Sequence, residues 1–213
     1  MAKAFRNTRK DITGFLEPGE RDLVRKLLND IITMLEPEEA VDEDPLAAMV
    51  GLDDKATTPS DPALFRLLPN AVNDDDDEAL EFRRLTERSL RETKIGALRG
   101  AALALDSSRI VLNPEQAQIF SRALNDVRLV LAQRLQIESA EDAERIHEVQ
   151  NSSQAEDVDS YLALVYNFTT WLQESLMQAL LEQHGQHGQH GEQEQHGRDK
   201  DSGEHGPHGD SDQ

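Results

Sequence analysis

Apolar residues recur at helical spacing over four long stretches of this chain. Leu23, Val24, Leu27, Leu28, Ile31, Ile32 and Leu35 follow the i, i+3, i+4 pattern without a miss. They predict a helix that opens at a Pro18-Gly19 turn, with Arg21, Arg25 and Lys26 on its opposite face. A second stretch runs from the Asp74–Asp77 run to about Leu105. Four Asp followed by Glu78 suit the positive end of a helix dipole. Its apolar residues change side: Phe82 and Leu85 define one face, and Leu90, Leu98, Ala101 and Leu105 another. That shift predicts a kink near Thr86–Ser89, with Thr86 capping the second half. The third helix starts at Asn113-Pro114-Glu115-Gln116, which combines an N-cap, Pro at N1 and a capping-box Gln. It carries Ala117, Phe120, Leu124, Val127, Leu131 and Leu135 on one face.

The fourth stretch, Val158–Leu181, holds only Asp159 and Glu174 as charges. It is apolar almost all round, which predicts a central helix covered by its neighbours, capped by Asp157. Asn167, Thr169, Thr170 and Gln173 make it too polar for a membrane span.

Shorter elements fill the gaps. Ala4–Leu16 reads as a hairpin turning near Arg9-Lys10, and β-branched Arg109–Leu112 as a strand able to pair with it. Asp44-Pro45 predicts a short helix through Leu46, Met49 and Val50, and Asp61-Pro62 another over Ala63–Leu68, closed by Pro69. Ser139 opens a short exposed helix. Glu36–Asp44 is an acidic run without the Gly-centred spacing of a calcium loop. The reading is a mainly α single domain over residues 1–182, with about four long helices and a small two- or three-stranded β element. Residues 183–213, which hold no Val, Ile, Leu, Met or aromatic residue, read as a disordered acidic tail rich in His, Gly and Gln.

Charge and composition narrow the chemistry. The formal net charge is -20. Such a body repels a phosphate backbone, so direct nucleic-acid binding is not expected. There are no cysteines, which removes disulfides and thiol chemistry from this chain. No signal-peptide pattern follows Met1, and a cytoplasmic protein is expected. Six of the seven histidines lie in the tail, including His184, His187 and His190 in three Gln-His-Gly repeats. Imidazoles ligate transition metals, yet the glycines preset no geometry. His147 is the one histidine in the foldable part, and no nucleophile–base pair or phosphate loop accompanies it. A non-enzymatic protein without a cofactor is expected.

Two basic features stand out. Arg83, Arg84, Arg88, Arg91, Lys94 and Arg99 are interleaved with Glu81, Glu87 and Glu92, which reads as intrahelical pairing on a solvated face. Arg128 lies at the edge of the apolar stripe beside Leu124 and Leu131, where a half-buried Arg calls for a carboxylate. The Leu124 face leaves a homodimer open.

Four blocks in order carry a resemblance. They are Ser60–Pro69; Phe82–Thr86 with Leu90; Leu124–Leu135; and Tyr166 with Trp171–Leu176. Over roughly residues 1 to 182 the chain resembles a family of actinobacterial cytoplasmic proteins labelled as a domain of unknown function. Some members are named oxidative-stress transcriptional regulators, and their genes tend to lie beside that for the Clp protease adaptor. The resemblance implies a regulator acting through protein contacts with a sigma factor or RNA polymerase. Asn125, Arg128, Trp171 and Gln173 are the polar or aromatic members of the matching blocks and the candidates for partner binding. An accessory role in Clp-type proteolysis and a metal-handling role for the tail are the alternatives.

Overall fold

The computed structural model describes residues 1–8, 10–36, 57–72, 74–148 and 157–198, with side chains as far as Gln183. Strands β1 (Lys3–Asn7) and β2 (Ile12–Phe15) form the expected hairpin, and Thr8 closes its turn by donating its N–H to Asp11 O at 2.8 Å. Strand β3 (Arg109–Leu112) pairs antiparallel with β2, giving the order β1-β2-β3. Alternation sends Ile12, Ile110 and Leu112 inward, beside Phe5 of β1. The Phe5 ring meets Phe120 edge-on at 5.9 Å and lies against Gly14. A Cβ on Gly14 would stand 2.7 Å from two ring carbons of Phe5. Gly14→Ala is therefore expected to destabilise the fold by about 1–3 kcal/mol, as urea unfolding would measure.

The helices are α1 (Pro18–Leu35), α2 (Pro62–Leu67), α3 (Asp76–Ala104), α4 (Pro114–Arg134), α5 (Ala140–His147) and α6 (Val158–Arg198). Their starts follow the sequence. Asp61 accepts from Ala63 N–H at 2.8 Å, and this bond, with Arg134 beside it, holds the Asp61 carboxyl below its usual range against some desolvation. Asp75 accepts from Asp77 and Glu78 N–H. Asn113 and Gln116 close the expected capping box at 2.8 and 2.9 Å. Ser139 and Asp157 cap α5 and α6. The short helix expected at Leu46–Val50 lies outside the described residues, as does the acidic run after Glu36. The side chains of His184, His187 and His190 do too.

Arginines close the other ends. Arg25 of α1 donates to Leu105 O at the end of α3, and Arg91 of α3 donates to Leu35 O at the end of α1, at 2.9 Å. Arg83 donates to Leu68 O at the end of α2, at 3.0 Å. Each cation thus satisfies an orphan carbonyl at the negative end of a neighbouring helix. Arg25, which the sequence pattern places on the face opposite the apolar stripe, is accordingly a tertiary contact.

Two expectations are corrected. First, α3 is unbroken: Thr86 donates its hydroxyl to Phe82 O at 2.9 Å and caps nothing. Its buried stripe is Ala79, Arg83, Glu87, Leu98, Ala101 and Leu105, which stays in phase because charged residues fill its middle. Second, the central helix is α4, which packs against α1, α2, α3, α6 and β3. Small buried residues, Ala117, Ser121, Ala123 and Ala132, let those neighbours approach, while Phe120 and Leu124 fill the core. Leu124 is fully buried within its own chain, so its face is not free for a second copy. Helix α6 packs on α4 and β1 with Val165, Leu172, Leu176 and Ala179, and leaves Tyr161, Trp171, Met177 and Leu181 exposed. An all-round apolar pattern here reflects one buried face and one exposed apolar face.

Candidate interaction surface

The middle of the α3 stripe is an ion network. Glu87 receives Arg83 on one carboxylate oxygen and Arg91 on the other, from Nε at 2.9 Å and Nη2 at 2.6 Å. Arg83 also reaches Asn70 Oδ1 at 2.7 Å. Arg83 and Glu87 are both buried, so the sequence reading of a solvated face is right about the intrahelical pairs and wrong about their setting. Desolvation offsets most of the attraction in such a network. What it fixes is position: the turn after α2 and the end of α1 are both tied to one glutamate.

Farther along, Lys94 meets the buried Asp126 of α4 at 2.6 Å. Desolvation raises the Asp126 carboxyl above its usual value despite the opposing pull of Lys94. A carboxyl raised in the folded state supports folding fully below its unfolded pKa and loses that support as pH rises through its folded value. Lys94→Met removes the only lowering influence. Its destabilisation is expected to be about 3 kcal/mol near pH 8 and clearly smaller near pH 5, read as urea midpoints at both.

On this rigid base α3 presents a second face. Between Phe82 and Leu103, residues Phe82, Leu85, Ser89, Thr93, Gly96, Gly100 and Leu103 fall on one side at 100° per residue and none is charged; Glu78 precedes them on that side and Glu92 borders it. Phe82, Leu85 and Leu90 are 47, 56 and 38% exposed. With Leu68 and Pro69 they line a groove of about 590 Å³ whose floor reaches Arg83 and Glu87. Gly96 sharpens the picture. Among the described residues, no heavy atom approaches within 4 Å of the place its Cβ would take. A mid-helix Gly costs about 1 kcal/mol relative to Ala, and the packing of the described residues makes no use of it. A Cβ on Gly100, by contrast, would stand 3.4 Å from Ile119 Cγ2.

The residues singled out from sequence lie elsewhere. Arg128 donates to Gln173 Oε1 at 2.6 Å and stands 5.7 Å from the centre of the Tyr166 ring. Its partners are thus an amide and a ring, and the expected carboxylate is not among the described contacts. Gln173 donates in turn to Ser121 O at 3.2 Å, so the pair seams α4 to α6. Asn125 is exposed one turn before Arg128. Trp171 sits about 200° around α6 from Gln173, stacked on Phe168 at 6.0 Å. The four therefore form one bonded pair and two separate surface positions. His147 contacts Asn167 at 3.3 Å, and among the described residues no cluster of acidic or imidazole groups could hold a metal.

Residues 2–180 match a family model described as Domain of unknown function (DUF2017). The chain belongs to that family. No curated protein and no solved structure matches it. The DUF2017 match ends at residue 180, beside Leu180, the last apolar side chain that α6 buries. No described helix of this DUF2017 chain is long and apolar enough to cross a membrane. The sequence hides the α3 groove because Phe82 and Leu85 form an apolar side that hydropathy does not tell from a buried one. The signal that could have found it is the absence of charge along one helix face in a chain that is 30% charged.

Proposed function

We propose that this protein is a non-enzymatic regulator that works through protein contacts, and that the uncharged face of α3 is its docking surface. The observation that carries the reading is the exposed pair Phe82 and Leu85, which line the groove with Leu90, and the open Gly96 three turns along the same face. Large exposed apolar groups rimmed by polar ones mark interaction sites. A helix face with a small residue at its centre suits close approach by a partner helix. The buried Arg83–Glu87–Arg91 network below holds the face rigid, which lowers the ordering cost of binding. The transcription apparatus is the proposed partner, a sigma factor or RNA polymerase. It is supplied by the resemblance to actinobacterial proteins named oxidative-stress transcriptional regulators.

Immobilised full-length protein exposed to purified RNA polymerase, with and without sigma factor, tests the partner. Saturable binding is the expected result. Binding to Clp components with none to polymerase would replace this reading with an accessory role in regulated proteolysis.

A further inference from the structure

The outer face of the small sheet carries a pattern that the α3 surface does not explain. Lys3 pairs with Phe15, which pairs with Arg109; Arg6 pairs with Thr13, which pairs with Val111. Lys3 and Arg6 are three residues apart and would point to opposite faces of a regular strand. The irregularity between them adds one residue to β1 and brings both to the outer face. The result is a cross-strand row of cation, ring and cation, with a third cation in the next row. Lys3 Nζ lies 5.7 Å from the centre of the Phe15 ring. Lys3, Arg6, Arg109, Phe15 and Thr13 line a shallow concavity of about 540 Å³ that no carboxylate lines.

These three cations line one concavity together. Arg21, Arg25, Lys26, Arg83, Arg91, Lys94, Arg99, Arg134 and Arg145 all meet a carboxylate. Among the described residues Lys3, Arg6 and Arg109 meet none, which is also true of Lys10, Arg66, Arg84, Arg122 and Arg128, but these three stand together in one concavity of a protein of net charge -20. We infer that this sheet face is a second contact surface, which takes an acidic segment of a protein partner whose carboxylates flank an apolar side chain. The row of Lys3, Phe15 and Arg109 is the complement of such a segment, and half-exposed Val111 extends the apolar strip. Nucleic acid fits less well. The acidic body opposes a continuous phosphate backbone, and one ring already covered by Lys3 offers stacking to a single base. The inference rests on the protein-contact reading, but not on the α3 groove.

The test uses full-length, isotope-labelled protein and follows its amide resonances. The probe is a short peptide in which Asp and Glu flank one Leu, with an oligothymidine of equal charge as the comparison. Expected are peptide-induced shifts centred on Lys3, Thr13, Phe15, Arg109 and Val111. Arg109→Glu should weaken the peptide about tenfold or more, and so should Arg6→Glu. Arg122→Glu, an exposed cation on α4, and Leu85→Glu should leave it unchanged, which separates this surface from the groove. Circular dichroism checks that each variant is folded. Three results would overturn the inference. One is affinity unmoved by Arg109→Glu, which leaves these cations as covers for Phe15. Another is a stronger response to oligothymidine. The third is shifts at these residues that track protein concentration alone, which assigns the face to a second copy.

Discussion

Glu87→Ala is expected to lower the unfolding free energy by about 3–5 kcal/mol, the largest loss of any single polar substitution in this fold. The reason is what remains behind. Arg83 stays buried with its charge uncompensated, and Arg91 loses both bonds to the Glu87 carboxylate. Those two arginines also hold Leu68 O and Leu35 O, so the ends of α2 and α1 loosen together. Urea unfolding followed by circular dichroism measures the loss. The double variant Arg83→Met with Glu87→Leu should recover much of it, because no buried charge is left unpaired. A Glu87→Ala loss below about 1 kcal/mol would mean that the network is solvated after all, as the interleaved charges alone would imply.

The second large effect is on binding and leaves stability untouched. Leu85→Glu changes a side chain that is more than half exposed, so the folded state should move by no more than about 0.5 kcal/mol. Binding to the partner should fall at least tenfold, about 1.4 kcal/mol, because a charge then enters an otherwise uncharged face. Gly96→Met is the sharper companion. The space beside Gly96 is open, so the fold tolerates the new side chain, but a partner helix seated there does not. Gly96→Ala should stabilise the isolated protein by up to about 1 kcal/mol through helix propensity. If both Leu85→Glu and Gly96→Met bind as well as the parent, the docking surface lies elsewhere. Arg128→Ala serves as a contrast: it breaks the seam to Gln173 and should cost stability before it costs binding.

Elements whose pattern had a single cause were legible in the sequence. Helix α1 has one apolar stripe and one covered face, and its limits follow from Pro18 and Leu35. The caps at Asp61, Asn113, Ser139 and Asp157 were readable because each needs one side chain at one position, whereas the four-Asp run did not single out Asp75. The β-branched run Arg109–Leu112 marked β3, while the irregular N-terminal hairpin left two or three strands open. Where two causes overlapped, the reading failed. In α3 the buried stripe passes through Arg83 and Glu87, and burial of a paired charge leaves no mark in hydropathy. The exposed side of Phe82 and Leu85 then lay out of phase with Leu90, Leu98, Ala101 and Leu105 and implied a kink that α3 does not have. In α6 an exposed apolar face mimicked complete burial, and the centrality of α4 was hidden by its alanines. Of the four candidate binding residues, Arg128 and Gln173 meet in a seam between helices, a proximity that their sequence spacing does not show. The α3 surface depends on Gly96 having no neighbour, which only three dimensions reveal.

The most direct measurement is site-specific photo-crosslinking in living cells, with the crosslinking side chain at position 85 and, as a control, at position 122. The account predicts a discrete product at position 85 that contains an RNA polymerase subunit or a sigma factor, lost when Gly96→Met is added, and no such product at position 122. A product at position 122 with none at position 85 would contradict it and move the contact surface off α3.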